Sequence, residues 1–289
     1  MTRRTRNGLK QLAVQTLRRS KLNDLKPSDS SQLLSKTELE RKMLQLEQQE
    51  LRLKTQDLWR RMVDAAHQGD EARWSGDETK GLALDEESLR IWNTHFAVSV
   101  DPDNPQEPIR HFPNTGYWRY LREFDHLWLK YRFTLWPKSR RLFITWRTIG
   151  NYLWDTITHR TRYTFLQSRE LSDAGMVGDH ALGTRCLFML EQLPKCVKPK
   201  QKLRVKESII WVWPTDYDER ATIRAVSADF DTFRSYPSTG AFLDEVAMQQ
   251  HPELAITAAR HGIEKVGRLT GVSTSNGQDY FYRAVENLA

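Results

Sequence analysis

A mainly α, extended multi-helix protein is what the sequence predicts, with a long N-terminal helix, a central aromatic–basic helix–Pro–helix unit and at most a small β element near residues 203–213. Three observations lead there. Apolar residues recur three and four apart along most of the chain, the period of a helix face. Only Ser208–Trp213 (SIIWVW) reads as a convincing strand, β-branched and aromatic and closed by Pro214. Apolar residues are 39% and charged residues 28% of 289, which suits a modest core with long surface-laid helices. Composition divides the chain into four parts. They are a basic targeting-like segment with its linker (1–35), a brace helix with a short helix and Pro-rich connection (36–113), an aromatic–basic helix pair (114–170) and a small, mostly helical C-terminal domain (171–289).

Residues 1–26 carry Arg3, Arg4, Arg6, Lys10, Arg18, Arg19, Lys21 and Lys26 against a single acid, Asp24. An Arg-rich, acid-poor amphipathic start has the composition of a mitochondrial targeting segment; a basic arm lying on nucleic acid is the alternative. Lys26–Ser35 is a linker by composition. Thr37 and Glu40 stand at capping-box spacing and open a helix expected to reach His67. Its leucines, Leu46, Leu53 and Leu58 among them, cover more of the wheel than a two-stranded seam needs, so it is read as a brace against neighbours. Leu82–Phe96 is a shorter helix, and the four prolines of Val98–Pro113 make an extended connection.

The centre is Tyr117–Phe165, with five of the ten tryptophans and ten Lys or Arg against three acids, an excess equal to the chain's net charge of +7. Tyr117, Leu121, Phe124, Trp128, Tyr131 and Leu135 share one helical face, for which Asn114 or Thr115 supplies a cap and Pro137 the stop. Leu142, Trp146, Ile149, Leu153 and Ile157 form a second stripe, in a helix expected to run to Gln167. Aromatics also fall among the arginines, a combination typical of contact surfaces. Trp118, Trp136, Arg140, Arg141, Trp146 and Trp154 are therefore the candidate interface or lipid-contact residues; the plain alternative is a core helix pair with arginines reaching outward.

Thr184–Leu193 is a short helix, and Lys195–Lys206 a basic hairpin or loop in which Lys198, Lys200, Lys202 and Arg204 are the candidate contacts. Strand Ser208–Trp213 is expected to pair with Lys202–Lys206 or with another chain. Further helical stripes follow: Ile223, Val226, Phe230 and Phe233; then Phe242, Val246 and Met248; then Ile256, Ala259, Ile263 and Val266. Gly271–Gly277 is read as a loop and Tyr280–Leu288 as a terminal helix.

Local signatures of catalysis or cofactor binding are missing from the sequence. Gly267–Gly277 (GRLTGVSTSNG) lacks the Gly-Lys-Ser/Thr ending of a phosphate loop, and there is no GxGxxG after a strand and no GxSxG. Asp101–Pro105 starts like a calcium loop but has no glycine at the sixth position. The eight histidines show no metal spacing, and Cys186 and Cys196 read as buried thiols. No catalytic residue, cofactor or metal is expected. Leu142–Ile157 is too short and too polar to span a bilayer. A pI of about 9.4 implies acidic partners. Together these features predict a non-catalytic structural subunit of a large mitochondrial inner-membrane assembly, a respiratory complex or the ATP synthase, on the matrix side. Its partners would be other protein subunits and an anionic lipid such as cardiolipin. The alternatives are a mitochondrial ribosomal protein on rRNA and a peripheral protein docking on anionic membrane.

Overall fold

Short apolar runs without alternation, such as those around Leu166 and Phe242, form strands of one seven-stranded sheet. The computed structural model describes residues 30–101, 104–113, 116–159, 161–175, 181–204, 208–212, 220–226, 233, 238–274, 277 and 279–288. The N-terminal segment 1–26 and the caps Asn114 and Thr115 lie outside them. The chain divides into two units, Met1–Lys54 and Thr55–Ala289. In the first, the described residues are helical and begin α1 (Ser30–Trp74). Leu46 and Leu53 are 65% and 58% exposed there, and Glu38–Lys42 and Glu50–Lys54 pair one turn apart at 3.3 and 2.7 Å.

The second unit continues with α2 (Glu78–His95), whose first turn is capped by Asp77 accepting from the Lys80 amide. Strands β1 (Val98–Val100) and β2 (Ile109–His111) make a small antiparallel pair. Then come α3 (Tyr120–Lys130), β3 (Phe133–Pro137), α4 (Ile144–Thr158), β4 (Tyr163–Gln167), α5 (Leu171–Ala174) and α6 (Leu182–Gln192). The rest is β5 (Lys200–Arg204), β6 (Ser208–Val212), β7 (Arg220–Val226), β8 (Ser238–Asp244), α7 (Pro252–Gly262), β9 (Ile263–Ser273) and α8 (Tyr280–Leu288). The sheet order is β3-β9-β8-β4-β7-β6-β5. The first five strands are parallel, and β6 and β5 add antiparallel to one side.

Successive side chains on a strand point to opposite faces, and here both faces are covered. Leu166, Ile223, Phe242 and Val272 join one core with α4; Phe165, Val226, Ala241, Leu243 and Leu269 join another with α7 and α8. Strands buried on both sides lose the polar–apolar alternation that would mark them in sequence. α4 is bolted to the sheet centre by Tyr152, whose hydroxyl lies 2.8 Å from the Ala241 carbonyl and 3.0 Å from Thr270 Oγ1. Trp128 Nε1 donates to the same Thr270 hydroxyl at 2.9 Å.

The expectation of a mainly α, extended protein is therefore corrected to an α/β fold around a mostly parallel sheet. The stripe Tyr117–Leu135 is helical only to Lys130: Tyr131 and Leu135 continue its spacing by coincidence, while Phe133–Pro137 pairs with Leu269–Ser273. Pro137 ends an edge strand, a place where a missing N–H costs no ladder bond. The following helix stops at Thr158, not Gln167, and Tyr163–Gln167 is a central strand. Ile223 and Val226 lie in β7, and Phe242 belongs to β8 rather than to a helix with Val246 and Met248. Ile263 and Val266, which extend the stripe of Ile256, open β9, because α7 ends at Gly262. A side chain at 262 would run into the Phe233 carbonyl oxygen. Gly271, expected in a loop, is also part of β9.

Candidate functional site

In a parallel sheet the strands end on the same side, and ligands bind in the crevice beyond those carboxyl ends. Here β3, β8 and β9 end together. Lys138–Phe143 leaves β3 and enters α4 directly, while the Lys138 amide donates to the Ser273 carbonyl at 2.9 Å and holds the loop's start against the end of β9. The loop turns through two left-handed residues, Arg141 (φ 65°) and Phe143 (φ 57°). The amides of the first turn of α4 carry the helix's positive end.

Opposite this loop, β8 ends in Asp244, followed by Glu245. Thr145, in the first turn of α4, donates its hydroxyl to Asp244 Oδ1 at 3.3 Å, and Lys138 Nζ lies 3.0 Å from Glu245 Oε1. Thr274 holds the second Glu245 oxygen through its hydroxyl at 3.0 Å. Burial pushes the Asp244 carboxyl up to about 6 against the pull of Lys138. Burial raises Glu245 as well, but the Lys138 ammonium and the Thr274 hydrogen bonds outweigh it and hold that carboxyl below its ordinary value. The two adjacent carboxyls are thus set apart in acidity, the condition for different chemical roles.

Between loop and strand ends lies a cavity of about 510 Å³. Its walls carry five cations, Arg110, Lys138, Arg140, Arg141 and Arg185, against three carboxylates, Asp101, Asp244 and Glu245. Arg110 pairs with Asp101 at 2.6 Å and stands 5.3 Å over the Phe143 ring. Arg185 stands 5.2 Å over Trp146, and burial lowers its pKa, with Asp244 opposing. Arg140 also borders an adjoining cavity of about 280 Å³ with Arg169, Asp173 and Glu245. Thr145 and Asp244 bring two hard oxygens together beside the cationic loop, and among the described residues no group of three or more His, Cys, Asp or Glu side chains is placed to hold a metal ion by itself.

Four of the six residues expected to form a contact surface line this cavity: Trp118, Arg140, Arg141 and Trp146. Trp118 packs edge-on to Phe143 at 5.3 Å, and Tyr120 fixes the loop from outside by donating to the Leu142 carbonyl at 2.7 Å. Trp136 is half-buried against Phe124, 4.7 Å between centroids. Trp154 is core, 1% exposed, with its Nε1 donating to Ser88. Leu58 packs on the main core. Lys198 is exposed, and Lys200, Lys202 and Arg204 lie on β5, at the edge of the sheet opposite β3. Both cysteines are free thiols, Cys186 buried.

A second buried charged cluster lies at the other end of α4. Arg162 bridges Asp70 and Asp155, Arg73 bridges to Asp85 at 2.6 Å, and His159 sits between Asp85 and Asp155. Its members are paired with one another across α1, α2 and α4, so it reads as a structural tie.

Sequence reasoning missed Lys138, Thr145, Arg185, Asp244 and Glu245. A usable signal existed: the apolar run Ala241–Leu243 delivers two acids at once, the first 99 residues after Thr145. Lys138–Thr145 spans the eight positions of the phosphate-loop pattern but keeps only its final hydroxyl. Phe143 and Ile144 replace the glycine and lysine, so a search for the motif fails.

Fold and site together define an α/β protein in which a cationic loop, Lys138–Phe143, faces the carboxyls of Asp244 and Glu245. No protein-family model and no curated protein matches the chain. Among solved structures it is similar to the large terminase ATPase domain of Thermus phage P74-26 (TM-score 0.41, 15% identity, 53% of this chain and 63% of that one). A point mutant of that same domain gives TM-score 0.42 at 16% identity over 53% and 63% of the two chains. The large terminase of a second, thermophilic bacteriophage gives 0.40 at 14% identity, over 54% of this chain and 36% of that one. The chain spans less than two thirds of each of these proteins. The expected structural subunit of a mitochondrial inner-membrane assembly, respiratory or ATP synthase, is corrected: helical scaffolding was the basis for it, and the chain instead builds an α/β fold around a seven-stranded sheet. The expectation of a chain without catalytic machinery falls with it, since a lysine, a threonine and two carboxyls converge at one cavity. Among the described residues no helix is long and apolar enough to cross a membrane.

Proposed function

We propose that this chain binds a magnesium–nucleoside triphosphate and hydrolyses its terminal phosphate. One observation carries the reading: Lys138 and Thr145, at the two ends of the β3–α4 junction, each contact one of the adjacent acids that end β8. A phosphate chain laid over the loop meets the amides of α4, and Lys138 exchanges Glu245 for a phosphate oxygen. Thr145 and Asp244 would hold the metal, which supplies charge neutralisation at the transferring phosphoryl group. Glu245, freed from Lys138, accepts a proton from the water that attacks the terminal phosphorus; the bond from that phosphorus to the bridging oxygen breaks, and the diphosphate leaves with the electron pair. Five cations stand against three carboxylates around the cavity. That surplus suits a polyanion. With Phe143 and Ile144 in place of a glycine and a lysine, the loop wraps phosphate less closely, and slow turnover is expected.

The test is calorimetric titration of the full chain with ATP and magnesium, alongside measured phosphate release. Lys138→Ala should weaken binding at least about tenfold. Glu245→Gln should keep binding and lower phosphate release roughly 100-fold or more. A chain that binds no nucleotide sinks the reading; one that binds and never releases phosphate reduces it to a nucleotide-sensing site.

A further inference from the structure

Helix α6 brings to the cavity a cation that neither the loop nor the strand ends supply. Arg185 stands in its first turn, and among the described residues no carboxylate lies within ion-pair distance of it. What fixes it is an aromatic plate: its guanidinium carbon is 5.2 Å from the centroid of Trp146. Trp146 is itself held edge-on by Phe188, also from α6, at 5.9 Å. Because Trp146 follows Thr145 in the first turn of α4, this contact sets the guanidinium beside the helix entrance, on the side of Asp244. Asp244 is the carboxylate whose field Arg185 feels. Were Asp244 and Thr145 to hold a divalent cation, Asp244 would no longer offset the Arg185 charge, and the guanidinium would be left without a counter-charge in a half-buried setting. Such a group takes a planar, two-oxygen anion best, since its donors form a rigid fork.

We propose that Arg185 is a substrate-contacting residue, its fork taking oxygens of the polyphosphate while Trp146 holds its plane. The inference rests on the nucleotide reading above and extends it to an element outside the loop–strand constellation. It assigns α6 a direct part in substrate binding and gives Trp146 a positioning role. It also predicts where selectivity lies: Arg185 faces the metal end of the cavity, so its contribution grows with the number of phosphates.

The experiment compares the full chain with Arg185→Gln, Arg185→Lys and Trp146→Leu, titrating ATP, ADP and AMP with magnesium and recording thermal melting for each. Arg185→Gln should lower ATP affinity about tenfold or more and AMP affinity less than about twofold, with melting unchanged. Arg185→Lys keeps the charge but not the fork and should recover only part of the loss. Trp146→Leu should shift ATP affinity in the same direction by less. Equal loss for ATP and AMP, or unchanged ATP affinity in Arg185→Gln, would overturn the assignment while leaving the nucleotide site standing. If Arg185→Gln also melts early, Arg185→Lys decides: full ATP affinity with lysine refutes the forked contact. A wild-type chain that binds none of the three nucleotides removes both readings together.

Discussion

Replacing Asp244 by asparagine should stabilise the ligand-free protein. Asp244 is buried at the end of β8, and burial lifts its pKa from 3.8 to about 6 in the folded state, Lys138 notwithstanding. Below about pH 4 the group is protonated in both folded and unfolded chains and contributes nothing. As pH rises from about 4 to about 6 the unfolded chain loses the proton that the folded one retains, so stability declines; above that the full penalty remains. At about 1.36 kcal/mol per pH unit across that interval, the penalty is about 3 kcal/mol. Asparagine keeps an acceptor for the Thr145 hydroxyl and carries no charge, so it removes the penalty. For a unit of this size the gain is worth roughly 5–10 °C in melting temperature at neutral pH. The assay is denaturant unfolding of wild type and Asp244→Asn at half-unit steps from pH 4 to 8, taking the difference between the two at each pH so that other titrating groups cancel. The difference should start near zero and reach its plateau above pH 6. A difference that is flat with pH, or a variant less stable at pH 7.5, would refute the claim that Asp244 is ionised against its environment.

Two further outcomes follow from the same geometry. The proposed metal–nucleotide binding would need Asp244 ionised, so affinity should level off above about pH 7 and fall by up to about tenfold per unit below about pH 6, read by titration at pH 5, 6 and 7.5; Lys138, Glu245 and Arg185 are the charged groups that set this midpoint. Gly240→Ala should destabilise the sheet by about 1–3 kcal/mol in equilibrium unfolding, because the added carbon would stand 2.9 Å from Tyr152 Cε1 and 3.1 Å from Thr164 Oγ1.

What could be read from the sequence was local. Helices with one polar face, α2 and the helical part of the central stripe, show the 3.6-residue period because water covers their other side. The antiparallel strand Ser208–Val212 shows through its β-branched and aromatic composition. Hidden from such reading were β4, β8 and β9, which are covered on both faces and carry no period of two. These short strands join neighbouring helical stripes without a break, so Ile263 reads as the continuation of Ile256. Of the six residues singled out as an interface or lipid-contact surface, Trp118, Arg140, Arg141 and Trp146 lie in the lining of the cavity, a place the sequence reading did not foresee. Their partners Asp244 and Glu245 come from the end of a strand far along the chain, 99 residues from Thr145 in the case of Asp244. That pairing is created by the parallel crossover and leaves no local trace.

Backbone strain singles out the same edge of the sheet. Among the described residues four non-glycine residues have positive φ, and three of them belong to the cavity: Arg141, Phe143 and Glu245. A left-handed conformation costs an L-residue roughly 1–2 kcal/mol, and an aromatic ring at Phe143 has no local hydrogen bond to offset it. The charges behave alike. The buried cluster at the far end of α4 is matched acid to base, whereas at this end Asp244 is held ionised against burial and Arg185 is held by a ring rather than a carboxylate. Costs of these two kinds, conformational and electrostatic, are borne where the surrounding structure over-determines them. Here Tyr152 and Trp128 supply that excess, the first tying α4 to β8 and β9 and the second tying α3 to β9. A ligand that brings a metal to Asp244 and phosphate oxygens to Lys138 and Arg185 relieves the electrostatic part at once. Binding should therefore stabilise the protein by more than the loop contacts alone would give, with the rigid sheet beneath holding these groups in place.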